Sequence, residues 1–197
     1  IIYSKITKNI NYIKMITPEK LNAMKRISEE FKQLNRSPVA GLGITVGLFD
    51  EDNVFVWKCT LLGPKDTMYK GGLFYLKIIF PDNYPIGKPE VLFLTPIYHL
   101  NVKYGPGGFQ PLGHICISTL NQWKPGDSIK KILPEIFNLL YKNNPESPYD
   151  DCYHTRSNEF INNPALFAQK AQYFTKKYAR GEVGFKDYSN GWDFSYY

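Results

Sequence analysis

Cysteine and histidine are scarce in this chain of 197 residues, which contains three of each. The cysteines are Cys59, Cys116 and Cys152, and because their number is odd they cannot all pair in disulfides. Neither the cysteines nor the histidines stand at the short spacings that zinc sites use. The sequence therefore predicts a reducing compartment, at least one free thiol and no metal site.

Long apolar runs and clusters of one charge are also missing. No stretch approaches the roughly 18 apolar residues that a membrane helix needs. The net charge is +6, yet no more than two basic residues stand side by side, whereas proteins that bind nucleic acid specifically cluster theirs. We therefore expect neither a membrane span nor nucleic-acid binding.

The two ends of the chain differ in composition from its middle. The first fifteen residues hold three Lys and no acid, and we interpret residues 1–16 as a flexible leader. The alternative is the remnant of a targeting peptide, which would replace the expected cytosolic or nuclear location with an organelle. Residues 181–197 form an aromatic-rich tail, which we expect to fold back because exposed rings forgo roughly 1.5–3 kcal/mol of burial each.

Between these ends, a hydrophobic fraction of 43% predicts one globular domain. Thr17, Pro18 and Glu19 predict the start of a helix, since Thr caps free N–H groups and Pro suits the first turn. Ser37-Pro38 predicts its end. Apolar residues at steps of three and four predict its buried face: Leu21, Met24, Ile27, Phe31 and Leu34.

The next sixty residues show the alternation of β-strands. Large apolar residues at every second position from 55 to 61 place Cys59 on a buried face, where its thiol should be inert. Further strands are predicted at 72–80 and 91–94. Consecutive strands joined by short turns indicate an antiparallel meander and an α+β fold.

The second half of the chain combines a long irregular stretch with helices. Residues 98–123 lack periodicity, and long loops of this kind are often functional. A helix capped by Asp127 or Ser128 follows, and Pro134 inside it predicts a kink or a local distortion. A last helix is predicted to open at Asn163-Pro164 and to stop at Gly181, with these candidate core residues: Leu166, Phe167, Phe174 and Tyr178.

Cys116 is the preferred candidate nucleophile. It follows a glycine-rich loop instead of lying in an apolar alternation, and a thiol reacts best when it is partly exposed. Cys152 is flanked by Asp150 and Asp151, which disfavour its thiolate. Local chemistry alone ranks Cys116 only slightly above Cys152.

Five short motifs lie around this cysteine, one after another along the chain. They are YPIGKP at 84–89, YHLN at 98–101, GHIC at 113–116, QWKP at 122–125 and NPESP at 144–148. Through these motifs the chain resembles the ubiquitin-conjugating enzymes from about residue 18 to about residue 180. The resemblance implies an N-terminal helix, a four-stranded antiparallel meander, a long active-site segment and two or three further helices, with residues 17–180 as the catalytic domain.

The same resemblance implies a reaction and its residues. An activating enzyme would pass ubiquitin or a ubiquitin-like protein to Cys116 as a thioester, and a substrate lysine or a ligase cysteine would then accept it, with no cofactor. Asn101 would donate to the oxyanion or hold the active-site loop, and His99 would fix that loop instead of acting as a base. Three residues would face the incoming lysine: Tyr98, Asn144 and the gate residue Ser147.

Partner surfaces carry over in the same way. Lys25 and Arg26 would contact the activating enzyme. Ile86, Pro125 and Gly126 fall at the ligase-binding loops. Ile86 replaces an aromatic found in many members of the family, so these loops are compatible with a ligase of the RING type and leave the choice of ligase open.

The chain departs from the family in two main places. Residues 99–101 read His-Leu-Asn instead of His-Pro-Asn, so the loop lacks the rigidity of a proline. Residues 102–113 contain an insert beside the nucleophile. In addition, Ser118 and Ser147 stand where acids are common, although the family sometimes has Ser at the second position. Lysine activation should therefore depend on desolvation more than on charge, which would suit an unusual acceptor or a ligase that carries the thioester itself.

Two other functions remain open at this point. The first is a non-catalytic binding module with the same fold, although such variants generally lack the cysteine. The second is a cysteine hydrolase that pairs Cys116 with His99 or His114; no papain-like or caspase-like local signature accompanies them.

Overall fold

The computed structural model describes residues 16–39, 41–103, 113–143 and 155–181. Helix α1 and four strands come first, and four helices follow. Their bounds are α1 Pro18–Arg36, β1 Ile44–Asp50, β2 Asn53–Leu62, β3 Leu73–Ile79, β4 Glu90–Phe93, α2 Ser118–Asn121, α3 Ile129–Tyr141, α4 Thr155–Asn162 and α5 Pro164–Tyr178. The predictions for the leader before residue 16, for the tail after residue 181 and for Cys152 fall outside these ranges.

The four strands form one sheet in the order β1-β2-β3-β4, with every neighbouring pair antiparallel. One row across the sheet shows how the register builds the core. Val46 pairs with Cys59, Cys59 with Leu76, and Leu76 with Phe93. Because side chains alternate between the two faces, this row and its equivalents point inward. The predicted meander and the α+β class are confirmed.

Helix α1 begins and ends where the sequence predicts. The Thr17 hydroxyl accepts a hydrogen bond from the Lys20 N–H at 3.2 Å, and the helix ends at Arg36. The predicted buried face is partly wrong, since Leu21 is 44% exposed. The buried residues of the helix are Ala23, Ile27, Glu30 and Leu34, and Phe31 packs against the same core.

Trp57 of β2 lies at the centre of the core between the sheet and α1. Its side chain is fully buried, and its ring meets those of Phe31 at 5.3 Å and Phe80 at 4.7 Å in edge-on geometry. Such pairs stabilise a core beyond the area that they bury. The alternating pattern around Cys59 therefore marks the inner face of the sheet, as expected.

Helix α3 runs without interruption through Pro134. Ser128 occupies its N-cap position, but the Ser128 side chain makes no capping bond. The first free N–H, that of Ile129, instead donates to Glu30 Oε2 of α1 at 2.8 Å. A carboxylate from another helix thus supplies the cap, which is why the local sequence did not identify it.

Two helices were not predicted individually, namely α2 and α4. The last helix, α5, starts after an Asn163 cap that accepts from the Leu166 N–H at 3.2 Å. Phe167 and Phe174 of α5 are buried, whereas Leu166 lies at an intermediate position outside the core cluster. Within the described ranges, no helix is both long enough and apolar enough to cross a membrane.

Candidate active site

The segment that carries Cys116 is held between two neighbouring pieces of backbone. On one side it pairs with β4, where the Phe93 N–H donates to the Gly113 carbonyl at 2.8 Å. On the other side the Cys116 N–H donates to the Asn101 carbonyl at 2.9 Å. The backbone at the candidate nucleophile Cys116 is therefore fixed by hydrogen bonds that do not depend on its side chain.

Gly113 opens this segment because no other residue fits there. Its φ angle is +80°, in the left-handed region that residues with a Cβ disfavour. A Cβ at this position would lie 2.0 Å from the Phe93 carbonyl oxygen. The close approach to β4 thus requires glycine three residues before Cys116.

The insert in residues 102–113 leaves and rejoins the fold at adjacent points. The Gly113 N–H donates to the Lys103 carbonyl, and the Lys103 N–H donates to the His114 carbonyl, both at 2.9 Å. These bonds close the base of the insert like that of a hairpin. Residues 104–112 themselves lie outside the described residues.

Cys116 lines an open cleft of about 440 Å³ between the segment that follows it and α3. Cys59, by contrast, is 1% exposed, and burial raises the pKa of its thiol to about 12. The prediction that Cys59 is an inert core thiol is confirmed. The other residues lining the cleft are Ile117, Ser118, Asn121, Gln122, Glu135, Asn138, Leu139 and Lys142.

Asn121 contacts the sulfur atom of Cys116. It lies at the end of α2, and its Nδ2 donates to Cys116 Sγ at 3.4 Å. The sequence analysis did not identify it, and the only signal was an amide five positions after the cysteine.

Glu135 of α3 holds the other end of α2. Its carboxylate accepts from the Ser118 hydroxyl at 2.5 Å and from the Thr119 N–H at 3.3 Å. The Ile117 side chain at the N-cap position makes no capping bond. Glu135 thus supplies an acid on the cleft beside Ser118, where the sequence alone indicated none.

His99 is fully buried and has partners at both ring nitrogens. Nδ1 accepts from the Asn101 N–H at 2.9 Å, so the ring proton lies on Nε2, which donates to the Leu139 carbonyl at 2.9 Å. Burial lowers the pKa of His99 to about 4. A histidine in this environment joins the active-site loop to α3 and is poorly placed to act as a base.

The side chain of Asn101 is also fully buried. Of the two roles expected for it, this burial favours holding the loop over donating to an oxyanion in the open cleft. Its backbone contributes at both ends, since its N–H reaches His99 and its carbonyl accepts from Cys116.

Tyr98 does not lie where the sequence analysis placed it. Its side chain is 6% exposed, and its hydroxyl donates to Glu159 Oε2 of α4 at 2.6 Å. Its ring packs against Phe167 and Phe174 of α5, at centroid distances of 5.1 and 5.7 Å. The expectation that Tyr98 faces an incoming lysine is therefore corrected, because its ring faces the core. Asn144 and Ser147 lie outside the described residues, and their roles remain predictions.

Arg156 of α4 was not anticipated as part of this region. It is 1% exposed, and its Nη1 donates to the carbonyls of His99 and Val102, the latter at 2.8 Å. A buried charge needs such partners to offset its desolvation. A charged residue at the start of a helix gave no signal that it would fasten the active-site loop.

The predicted partner residues differ in exposure. Lys25, Pro125 and Gly126 are exposed, and Ile86 is 69% exposed, the highest value among the exposed large hydrophobics of the described residues. The Arg26 side chain is only 39% exposed and pairs with Glu30 at 2.6 Å. Arg26 therefore contributes to the fold as well as to the surface.

Glu30 joins the elements that carry these partner residues. It is 6% exposed and accepts from Arg26, from the Tyr84 hydroxyl at 2.7 Å and from the Ile129 N–H. The loops themselves meet where Trp123 Nε1 donates to the Pro85 carbonyl at 2.8 Å. An acid in the apolar stripe of α1, three residues after Ile27, was the signal that could have revealed this network.

Among the described residues, no group of three or more His, Cys, Asp or Glu side chains could hold a metal ion. The cleft contains one thiol, amides, a hydroxyl, a carboxylate and a Lys. These groups suit nucleophilic chemistry at sulfur with hydrogen-bond support.

Two comparisons with known proteins agree with this geometry. The model of the ubiquitin-conjugating enzyme family matches residues 26–175. A curated relative, ubiquitin-conjugating enzyme E2 13 of Schizosaccharomyces pombe, is 40% identical over 156 residues, which cover 79% of this chain and 97% of the relative. The family model covers the second half of α1, the whole sheet, the Cys116 cleft and most of α5, and the chain belongs to the ubiquitin-conjugating enzyme family.

Proposed function

We propose that the protein accepts the C-terminus of ubiquitin as a thioester on Cys116 and transfers it to a substrate lysine or to a ligase cysteine. As a family member it works with ubiquitin, an activating enzyme and ligases. One observation carries the choice of cysteine: of the two cysteines in the described part of the chain, Cys116 lines an open cleft and Cys59 is buried.

The reaction consists of two acyl transfers. In the first, the Cys116 thiolate attacks the thioester carbonyl of the loaded activating enzyme, whose sulfur leaves as a thiolate. In the second, a neutral lysine amine attacks the new thioester, the C–N bond forms, the C–S bond breaks, and the amine loses a proton to solvent or a nearby base. Both steps need a fixed sulfur atom and stabilisation of negative charge.

The loop at 98–103 supports this chemistry by fixing the position of the nucleophile. The side chains of His99 and Arg156 form hydrogen bonds with its backbone, and the Asn101 carbonyl accepts a hydrogen bond from the Cys116 N–H. We assign Asn101 and His99 to this positioning role. An oxyanion contact from the Asn101 amide would require its buried side chain to turn towards the cleft.

Activation of the incoming lysine is assigned to the 144–147 segment. Asn144 and Ser147 would flank the amine, and with Ser147 in place of an acid they would lower its pKa through desolvation. The expected consequence is an unusual acceptor preference, or reliance on a ligase that carries the thioester itself.

The exposed residues near the network around Glu30 are proposed as partner contacts. Lys25, together with the exposed part of Arg26, would meet an acidic surface of the activating enzyme. Ile86, Pro125 and Gly126 present one apolar side chain and two exposed loop positions without charge, which suits the apolar groove of a RING-type ligase.

A loading assay tests the proposal directly. The protein is mixed with activating enzyme, ATP and ubiquitin and resolved on non-reducing gels beside Cys116→Ser and the matched control Cys152→Ser. We expect a thiol-sensitive band for the wild type and for Cys152→Ser. Cys116→Ser should give only a thiol-resistant oxyester or no band.

Two results would contradict the proposal. A thiol-sensitive band that survives Cys116→Ser but not Cys152→Ser would move the nucleophile to Cys152. Failure to load ubiquitin and every ubiquitin-like modifier tried, each with its own activating enzyme, would favour a binding module, whereas release of free ubiquitin from a conjugate would favour a hydrolase.

A further inference from the structure

Asn121 lies against the sulfur atom on which both acyl transfers take place. Its Nδ2 is 3.4 Å from Cys116 Sγ, within the range of a hydrogen bond to sulfur. An amide N–H only donates, so the interaction strengthens when the sulfur carries negative charge. The sulfur is a thiolate as the nucleophile of the first transfer and becomes a thiolate again as the leaving group of the second.

We propose that Asn121 is a catalytic residue that donates a hydrogen bond to the Cys116 sulfur and stabilises its thiolate in both transfers. This proposal rests on Cys116 being the cysteine that carries ubiquitin. It assigns to α2 a role distinct from that of the loop around Asn101, because Asn101 supports the backbone of Cys116 and Asn121 contacts the reacting atom.

Glu135 acts in this proposal as a positioning residue for Asn121. Helix α2 has only four residues, Ser118–Asn121, and one turn has little stability of its own. The two hydrogen bonds from Ser118 and Thr119 to the Glu135 carboxylate fasten this turn to α3. The position of this helical turn then determines where the Asn121 side chain points.

The neighbouring residue provides a matched control. Gln122 carries the same amide group, is exposed and lines the same cleft. The described structure places no hydrogen bond between its side chain and Cys116. A general change in cleft polarity would affect Asn121→Ala and Gln122→Ala alike, whereas a specific contact with sulfur affects only the first.

The first measurement is the alkylation rate of Cys116 by iodoacetamide, followed by peptide mass spectrometry so that other cysteines do not interfere. It needs neither ubiquitin nor an activating enzyme. We expect Asn121→Ala to alkylate several-fold more slowly than the wild type. Asn121→Asp should be slower still, because a carboxylate repels the thiolate, and Gln122→Ala should match the wild type.

The second measurement is the rate of ubiquitin loading and of discharge to free lysine, with saturating partners. Asn121→Ala should slow discharge by about tenfold, equivalent to about 1.4 kcal/mol in the barrier. Glu135→Ala should slow discharge by a smaller factor. Glu135→Gln should restore most of the wild-type discharge rate, since its amide oxygen still accepts a hydrogen bond. Urea unfolding checks that these variants remain folded.

Each outcome bears on the proposal. If Cys116 loads ubiquitin but Asn121→Ala alkylates and discharges at wild-type rates, the inference is overturned and the proposed function stands. Equal losses in Asn121→Ala and Gln122→Ala would also overturn it. If Cys116→Ser still loads normally, the proposed function fails, whatever the alkylation rates show.

Discussion

Mild acid is expected to destabilise the protein through His99 before its carboxylates titrate. The imidazole is fully buried, and both of its nitrogens are already engaged with backbone groups. A proton on Nδ1 would break the bond from the Asn101 N–H and place a charge in the core beside Arg156. The folded protein therefore resists protonation that the unfolded chain accepts.

The size and the sign of the effect follow from the pKa of His99, which burial lowers from 6.5 to about 4. Between these values the unfolded state binds more protons, so stability is fully present above about pH 6.5 and declines as the pH falls. The total loss approaches about 3 kcal/mol near pH 4. Most of it, about 2 kcal/mol, is already lost between pH 7.5 and pH 5.

Urea unfolding at pH 7.5, 6 and 5 measures this loss. Unperturbed carboxylates titrate near pH 4, so they contribute little in this window. His99→Gln should be less stable than the wild type at pH 7.5 but should lose much less free energy on acidification, because an amide does not titrate. Equal slopes for the wild type and His99→Gln would refute the reasoning.

Two further predictions concern the scaffold. Glu30→Ala should lower the free energy of unfolding by about 3 kcal/mol, since it leaves three buried or half-buried donors without their acceptor. Glu30→Gln should lower it less. A urea midpoint that the Ala variant leaves unchanged would contradict the stabilising role of the network. Gly113→Ala should cost at least about 1–2 kcal/mol from its left-handed backbone and should also slow ubiquitin loading, because its Cβ would push the segment away from the Phe93 carbonyl. Wild-type unfolding together with wild-type loading in this variant would show that the close approach to β4 does not position the nucleophile.

The sequence predicted the parts of the fold that depend on local patterns. Helix α1 follows from its Thr17 cap and from Ser37-Pro38, and the inward position of Cys59 follows from alternation along β2. The family motifs added the number of strands and strengthened the choice of Cys116 as the candidate nucleophile. These features need only residues that are close in the chain or a resemblance that spans it.

The features that escaped prediction depend on contacts between distant residues. Glu30 caps α3 from 99 positions away, and Arg156 reaches the Val102 carbonyl across 54. Tyr98 was misplaced for the same reason, because its partner Glu159 lies 61 positions further along the chain. No local pattern records such pairs, and a resemblance transfers only positions that the family motif includes.

The loss of the family's proline at Leu100 is the departure that the structure explains best. Proline stiffens a loop through its fixed φ angle, and here hydrogen bonds from other elements restrain the same backbone. The Leu100 N–H, which a proline would lack, donates to Asn143 Oδ1 at 3.4 Å. The carbonyls of the two preceding residues are bound as well, that of Tyr98 by the Tyr69 hydroxyl and that of His99 by Arg156.

This arrangement gives the site a buried half and an exposed half. The loop at 98–103 is held by buried groups, so its position should change little when partners bind. The cleft side is held by Asn121, which is exposed, and by a single-turn helix fastened through Glu135. In the proposed reaction the thioester carbonyl and the incoming amine would therefore reach the sulfur from the exposed half, where Asn121 contacts it, while the buried half keeps the backbone of Cys116 in place.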